Sequence, residues 1–397
     1  MTFGNGSQPT VAVRLADDRA IWALLLDPEL QLGELFMNER LVVERGSIYD
    51  LIELLLENGH GARSLLPVHP LKRLREMKWR LRSGNTAARA KRNASHHYDL
   101  DSRLYELFLD ADRQYSCAYF EYSDQSLDDA QHAKKRHIAA KLRLESGHRV
   151  LDIGSGWGGL ALYLAETGGA GDVLGITLSD EQLTTARERA ARAGLASRVD
   201  FELQDYRAVE GTFDRIVSVG MFEHVGPASY DAFFKACRRL LAEDGVMLLH
   251  TIARTGEPCG PNPWVTRYIF PGGHIPTLSE IAPALERSGL MLTDLEVLRL
   301  HYAWTLRAWR ERFLARRDEA LRIYGERFCR MWEFYLASFE VAFRVEDLVV
   351  FQLQLAKRND VLPVRRDYMV EDEAALKAED SRRRSVAGRA TGEDVVR

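Results

Sequence analysis

The run Val150-Leu151-Asp152-Ile153-Gly154-Ser155-Gly156-Trp157-Gly158-Gly159 constrains the fold more than any other part of the chain. A strand of apolar residues with an acid passes into a glycine-rich turn. Leu160 to Ala165 then reads as a helix. Glycine lets the backbone turn sharply and lets a ligand approach it closely. The helix N-terminus behind such a turn offers free N–H groups to a polar ligand. The stretch therefore predicts a nucleotide-type cofactor site.

Gly154, Gly156 and Gly159 also satisfy G-x-G-x-x-G, the dinucleotide fingerprint. That fingerprint calls for an acid about 20 residues on, at the end of the second strand, to hold the ribose hydroxyls. Here Asp172 to Thr177 runs into Thr177-Leu178-Ser179, without a carboxylate. Asp152 stands before the loop instead, within reach of an amino-acid moiety. Asp205 follows the third strand, Val199–Leu203, and is placed to meet an adenine amino group. The pattern looks like an S-adenosylmethionine (AdoMet) site. A dinucleotide site and a glycine turn with no ligand are the alternatives.

At 397 residues, 46% hydrophobic and 28% charged, the chain is long enough for two or three globular domains. A net charge of −4 excludes a globally basic nucleic-acid binder. Cys117, Cys237, Cys259 and Cys329 are scattered without a C-x-x-C pair, which suggests neither zinc nor a disulfide framework but reduced thiols in a cytoplasm. The polar start, Met1 to Gly6, lacks the pattern of a signal peptide, and no run reaches the ~20 apolar residues of a membrane span.

Residues 1–92 read as a separate small module of short strands and apolar helices, suited to lipid or to a plain scaffold role. Ser47 and Asp50 offer an N-cap to a helix through Leu51–Leu56. The connector from Lys72 to Arg92 carries nine basic residues against Glu76, with Leu74, Met77 and Leu81 at helical spacing. It is either a membrane-surface helix or a solvated linker. Residues 93–363 alternate strand and helix, which predicts a doubly wound, mostly parallel α/β sheet. A helical insert is expected from about Thr305 to Arg344, before a last strand at Leu348–Leu355. Residues 364–397 form a charged tail, expected to be mobile.

Five separated motifs carry a family resemblance. They are Tyr115-Ser116-Cys117-Ala118-Tyr119, the Gly-Ser-Gly-Trp-Gly-Gly loop, Thr177 to Gln182, Met221-Phe222-Glu223-His224-Val225-Gly226 and His250-Thr251-Ile252. In this order they resemble the cyclopropane-fatty-acyl-phospholipid synthases and the mycolic acid cyclopropane synthases, from the N-terminal module to about residue 363. The resemblance implies a Rossmann-like class I methyltransferase with a seven-stranded, mostly parallel sheet, an antiparallel edge strand at Leu348–Leu355 and a small α+β N-terminal domain. It implies methyl transfer from AdoMet to a cis alkene of an unsaturated phospholipid acyl chain, then proton loss from the resulting carbocation and closure of a cyclopropane ring.

The residues matching the family's bicarbonate site are Cys117 and Ile252 through backbone groups and Glu223, His250 and Tyr302 through side chains. Those matching its AdoMet site are Tyr115, Ser116, the loop with Asp152, Gly154, Ser155, Gly156, Trp157 and Gly158, then Thr177, Gln182 and Tyr206, beside Asp205. Tyr302, Tyr268, Phe270 and Trp264 are the aromatic candidates for steadying a cation. The implied setting is cytoplasmic, on the anionic inner face of a membrane, with no nucleic acid and no metal. A homodimer through the N-terminal module stays open.

Two departures stand out. Ser155 replaces a common cysteine, and Tyr302 is flanked by His301, Ala303 and Trp304 where bacterial cyclopropane synthases carry acids. A methylene- or methyl-branched product, and a lipid-binding paralogue without turnover, therefore remain alternatives.

Overall fold

The computed structural model describes residues 11–62, 75 and 102–393. Most of the basic connector and the segment Ser95–Leu100 lie outside the described residues. The first part comprises β1 (Ala12–Leu15), α1 (Asp18–Leu26), α2 (Pro28–Met37), β2 (Leu41–Arg45) and α3 (Ile48–Ala62). The expected cap of α3 is present and reciprocal. Ser47 Oγ accepts from Asp50 N at 3.2 Å, and the Asp50 carboxylate accepts from Ser47 N at 2.7 Å.

Among the described residues, this module shares its core with the helical insert. Leu35, Phe36, Met37 and Ile52 join the same buried cluster as Trp309, Trp332 and Phe334 of the helical insert. About fifty residues in two strands and three short helices bury too little surface alone. Gly33 on α2 makes the close approach possible: a Cβ there would lie 2.4 Å from the Trp264 indole.

The remaining chain builds a seven-stranded sheet in the order β5-β4-β3-β6-β7-β9-β8. Its strands are β3 (Arg149–Ile153), β4 (Asp172–Thr177), β5 (Val199–Leu203), β6 (Phe213–Val219), β7 (Leu241–Arg254), β8 (Met291–Leu298) and β9 (Leu348–Ala356). The first five in that order are parallel; β9 runs antiparallel to both β7 and β8. Leu348–Leu355 is therefore interior, and β8 is the edge. The reason is burial: every residue of β9 is buried, whereas β8 is partly exposed.

Two apolar layers cover the sheet, one including Ile153, Ile216 and Leu249, the other Val150, Val217 and Leu248. Helix α4 (Ser102–Glu106) and helix α5 (Leu127–Leu142) precede the sheet. Helices α6 (Gly159–Glu166) and α7 (Asp180–Arg192) follow β3 and β4. Helix α8 (Tyr230–Leu240) precedes β7, and α9 (Pro263–Tyr268) and α10 (Leu278–Ser288) connect β7 to β8. The insert before β9 is α11 (His301–Ala315), α12 (Arg317–Tyr324) and α13 (Glu326–Val345).

The tail expected to be mobile contains a helix instead, α14 (Asp367–Glu393). It docks on α5. Asp380 meets Arg136 at 3.3 Å, Glu373 meets His137 Nδ1 at 3.0 Å, and Tyr368 meets Gln354 on β9 at 2.8 Å. Two of the tail's acids, Asp380 and Glu373, thus pair with Arg136 and His137 of α5, which are themselves buried.

Candidate active site

Two cavities meet beyond the carboxyl ends of the parallel strands, where an open α/β sheet collects its ligands. The smaller, about 150 Å³, is lined by Tyr115, Ser116, Asp152, Gly154, Ser155, Gly156, Trp157, Thr177, Gln182, Asp205 and Tyr206. Gly158 is not among its lining residues. It is the N-cap of α6 at φ 82°, and a Cβ on it would lie 2.6 Å from the Phe201 ring. Its service is to the close packing of the turn, not to a ligand surface.

The smaller cavity is polar where the sequence placed its polar residues. Burial pushes the Asp152 carboxyl up to about 7, and its Oδ2 has no hydrogen-bond partner. Thr177 Oγ1 donates to Gln182 Oε1 at 2.8 Å, which leaves the amide nitrogen of Gln182 for another acceptor. Trp157 Nε1 donates to Glu181 at 3.0 Å. Asp205 differs from expectation: Arg207 takes both of its oxygens, at 2.7 and 2.6 Å, so any adenine amino group must share them.

Lys134 was not legible as a site residue. It is fully buried on α5 and donates to Gln114 Oε1 at 2.7 Å and Ser116 Oγ at 2.8 Å, fixing two parts of the wall. Burial pulls its ammonium down to about 8, opposed by the charge of Asp110. Gln204 and His224 also line this cavity and were not singled out.

The larger cavity, about 510 Å³, brings Cys117, Glu223, His250, Ile252 and Tyr302 to one wall. Its other walls are mostly apolar: Leu32, Ile52, Leu55 and Leu56 from the N-terminal module, and Trp264, Phe270, Phe334 and Phe339. The two cavities share Tyr115, Ser116, Gly220 and His224. Tyr268 lines neither; its hydroxyl donates to Glu34 of α2 at 2.8 Å and ties the module down.

Glu223 accepts the Ile252 N–H on Oε1 at 2.6 Å, while Oε2 is buried without a hydrogen-bond partner. Burial pushes this carboxyl up to about 7. The backbone N–H of Ile252, expected to face an anion, is thus committed to Glu223. Cys117 is buried, its thiol directed at Ala118 O, and burial pushes that thiol far up, which rules out a resting thiolate. Tyr302 sits in the first turn of α11, against Phe343 at 4.8 Å and Trp309 at 5.8 Å. Its neighbour His301 stacks on Tyr119 at 4.9 Å and accepts from Phe120 N at 3.0 Å.

The family model described as mycolic acid cyclopropane synthetase matches residues 85–353. The chain is 40% identical over 355 residues to the cyclopropane-fatty-acyl-phospholipid synthase of Escherichia coli strain K12, covering 89% of each chain. This chain belongs to that family. It is also 38% identical over 348 residues to a probable fatty acid methyltransferase of Pseudomonas putida, covering 86% of each. A solved mycolic acid cyclopropane synthase complexed with SAH and CTAB superposes with a TM-score of 0.63 at 33% identity, over 67% of this chain and 97% of the other. The sheet order and the insert before β9 are thus the frame of a cyclopropane synthase, and the N-terminal module closes one side of its larger cavity.

Proposed function

We propose that this protein carries the methyl carbon of AdoMet to the cis double bond of an unsaturated phospholipid acyl chain and closes a cyclopropane ring there. The observation that carries the reading is the junction of the two cavities: the smaller, with Asp152, Thr177, Gln182 and Asp205 on its walls, suits AdoMet and adjoins, at Tyr115, Ser116, Gly220 and His224, the larger, whose Leu32, Ile52, Leu56, Phe334 and Phe339 suit an acyl chain. In the reaction, the alkene π pair forms a bond to the methyl carbon and the carbon–sulfur pair stays on sulfur as S-adenosylhomocysteine forms. A C–H bond of the new methyl group then supplies the pair that closes the ring, and its proton leaves.

The residues do three things in this scheme. The cavity walls align the alkene with the methyl carbon, which matters because an alkene is a weak nucleophile. Tyr302 and Phe270 line the cavity where a cation would develop, and an aromatic face turned to it is worth about 0.5–2 kcal/mol. The orphaned Oε2 of Glu223 and the cavity-lining imidazole of His250 fit a small oxyanion that shares a proton with a raised carboxyl. When bound there, bicarbonate supplies a proton acceptor beside the alkene.

A methylene or methyl branch is the second reading, favoured by the absence of acids beside Tyr302. Transfer of a labelled methyl group to unsaturated phospholipid vesicles tests the enzyme. Mass spectrometry of fatty acids from cells expressing the chain separates ring from branch. AdoMet binding with no label in any lipid would overturn both readings and leave a lipid-binding paralogue.

Asp152 gives AdoMet binding a pH dependence. A cationic ligand prefers the ionised carboxylate, which must form from an acid that titrates near 7. Affinity is expected to fall as pH drops below 7, approaching tenfold per unit. Calorimetric titration of AdoMet from pH 5.5 to 8 checks this; Asp152→Asn should flatten the slope.

We infer also a peripheral seat on the inner face of a membrane. No described helix is long and apolar enough to cross one. Trp22, Leu25 and Leu26 on α1 and Leu54 and Leu55 on α3 are exposed, and Leu55 also lines the larger cavity. Arg75, the described residue of the basic connector, pairs with Asp27 at the end of α1 at 2.8 Å, beside this patch. Each such apolar side chain is worth about 1.5–3 kcal/mol when fully buried. Replacing Trp22, Leu25 and Leu26 by Ser should weaken sedimentation with anionic vesicles by at least about tenfold, with AdoMet affinity unchanged. Undiminished sedimentation would reject the patch.

A further inference from the structure

His250, Gln352 and Glu296 form one row across three neighbouring strands. His250 on β7 is the register partner of Gln352 on β9, which in turn pairs with Glu296 on β8. Their side chains continue the row. Gln352 Nε2 lies 3.1 Å from His250 Nδ1, and Gln352 Oε1 lies 2.8 Å from Lys141 Nζ. Lys141 is also ion-paired to Glu296, which meets His137 Nε2 at 2.8 Å. Gln352 is fully buried, and Lys141 nearly so.

Chemistry fixes the direction of every bond in this chain. An ammonium only donates, so the Gln352 atom facing Lys141 must be the carbonyl oxygen. The amide nitrogen then faces His250 and, having two hydrogens and no acceptor capacity, must donate. His250 Nδ1 must therefore be the bare nitrogen of a neutral ring, whose proton sits on Nε2. Burial pulls the Lys141 ammonium down, and the charge and hydrogen bond of Glu296 oppose that. Although burial opposes it, Glu296 is itself held down to about 2 by the bond to His137 and the charges of His137 and Lys141. Burial and the nearby Lys134 and Lys141 charges drive His250 well below its usual range.

We propose that Gln352, oriented by Lys141, is a positioning residue that locks His250 in its Nε2–H form, so that the histidine is a hydrogen-bond donor to the cavity and not the base of the reaction. This rests on the functional reading above and sharpens it. The ring-closing proton leaves to an acceptor other than His250. His250 instead steadies that acceptor, on the wall it shares with Glu223.

Nitrogen NMR of the full-length protein labelled at histidine tests the assignment, with His250→Asn used to identify the signal. The expected wild-type spectrum shows a protonated Nε2 and a bare Nδ1. In Gln352→Glu the new carboxylate, paired to Lys141, accepts from Nδ1–H and the tautomer should reverse. Its kcat should fall by on the order of 10², with the KM for AdoMet unchanged, because a donor has become an acceptor. Lys141→Met, which frees the amide to turn over, should give a mixture of tautomers. A wild-type imidazolium or Nδ1–H form would overturn the proposal, whether or not the variants fold. The spectrum is read without turnover, so a correct tautomer with no methyl transfer to lipid would count against the functional reading alone.

Discussion

Glu223→Gln is expected to lose turnover by on the order of 10²–10³ while AdoMet affinity stays at the wild-type level. The substitution keeps shape and keeps an oxygen for the Ile252 N–H, which Glu223 Oε1 now accepts at 2.6 Å. What it removes is the titrating proton at Oε2, a buried atom with no partner of its own. Glu223 lines the larger cavity and not the smaller, so the site for AdoMet is left intact. Steady-state label transfer and calorimetric AdoMet titration, run on the same preparation, separate the two effects. His250→Ala should follow the same pattern. A large loss of AdoMet binding in both would put these residues in the wrong cavity.

Gly158→Val is expected to damage both the fold and AdoMet binding. The residue holds φ 82°, and a Cβ would meet Phe201 at 2.6 Å and Ala186 at 3.1 Å. The left-handed backbone costs a side chain roughly 1–2 kcal/mol, and overpacking adds about 1–3 kcal/mol. Relief requires the loop or the Phe201 ring to move, and the loop lines the smaller cavity. AdoMet affinity should fall more than about tenfold, a loss of 1.4 kcal/mol or more. Thermal unfolding should shift down by several degrees, with Gly158→Ala in between. Wild-type unfolding and affinity in the valine variant would refute the close-packing role.

The strands and the glycine loop were legible because their signal is local. Apolar runs such as Val150–Ile153 and Val246–Thr251 read as buried strands at once. Glu223 and His250 are legible as strand ends that the sheet topology brings together, whereas grouping them with Tyr302 comes from the family resemblance. What the sequence hid depends on partners far away along the chain. The stretch Ala133 to Lys141 is as charged as a solvated helix, yet it is buried because four acids meet it from three other places: Asp112, Glu296, and Glu373 with Asp380 on α14. Lys134 and Gln352 were missed for the same reason. Leu348–Leu355 was read as an edge strand, but no local pattern tells an edge from an interior antiparallel strand whose two faces are both covered. Gly158 looked like its neighbours in the loop; only the position of Phe201 separates it from them.

Helix α14 gives this last group a different meaning. It lies beyond residues 85–353, yet Asp380 and Glu373 neutralise Arg136 and His137 on α5. In physical terms the C-terminal helix is a covalently attached counter-ion. Deleting it would uncover this face of α5 and leave Arg136 to Glu121 and His137 to Glu296, pairs that solvent and salt would then screen. Because His137 and Lys141 share Glu296 with the row that ends at His250, the electrical balance around His250 is set partly by Glu373 on that helix.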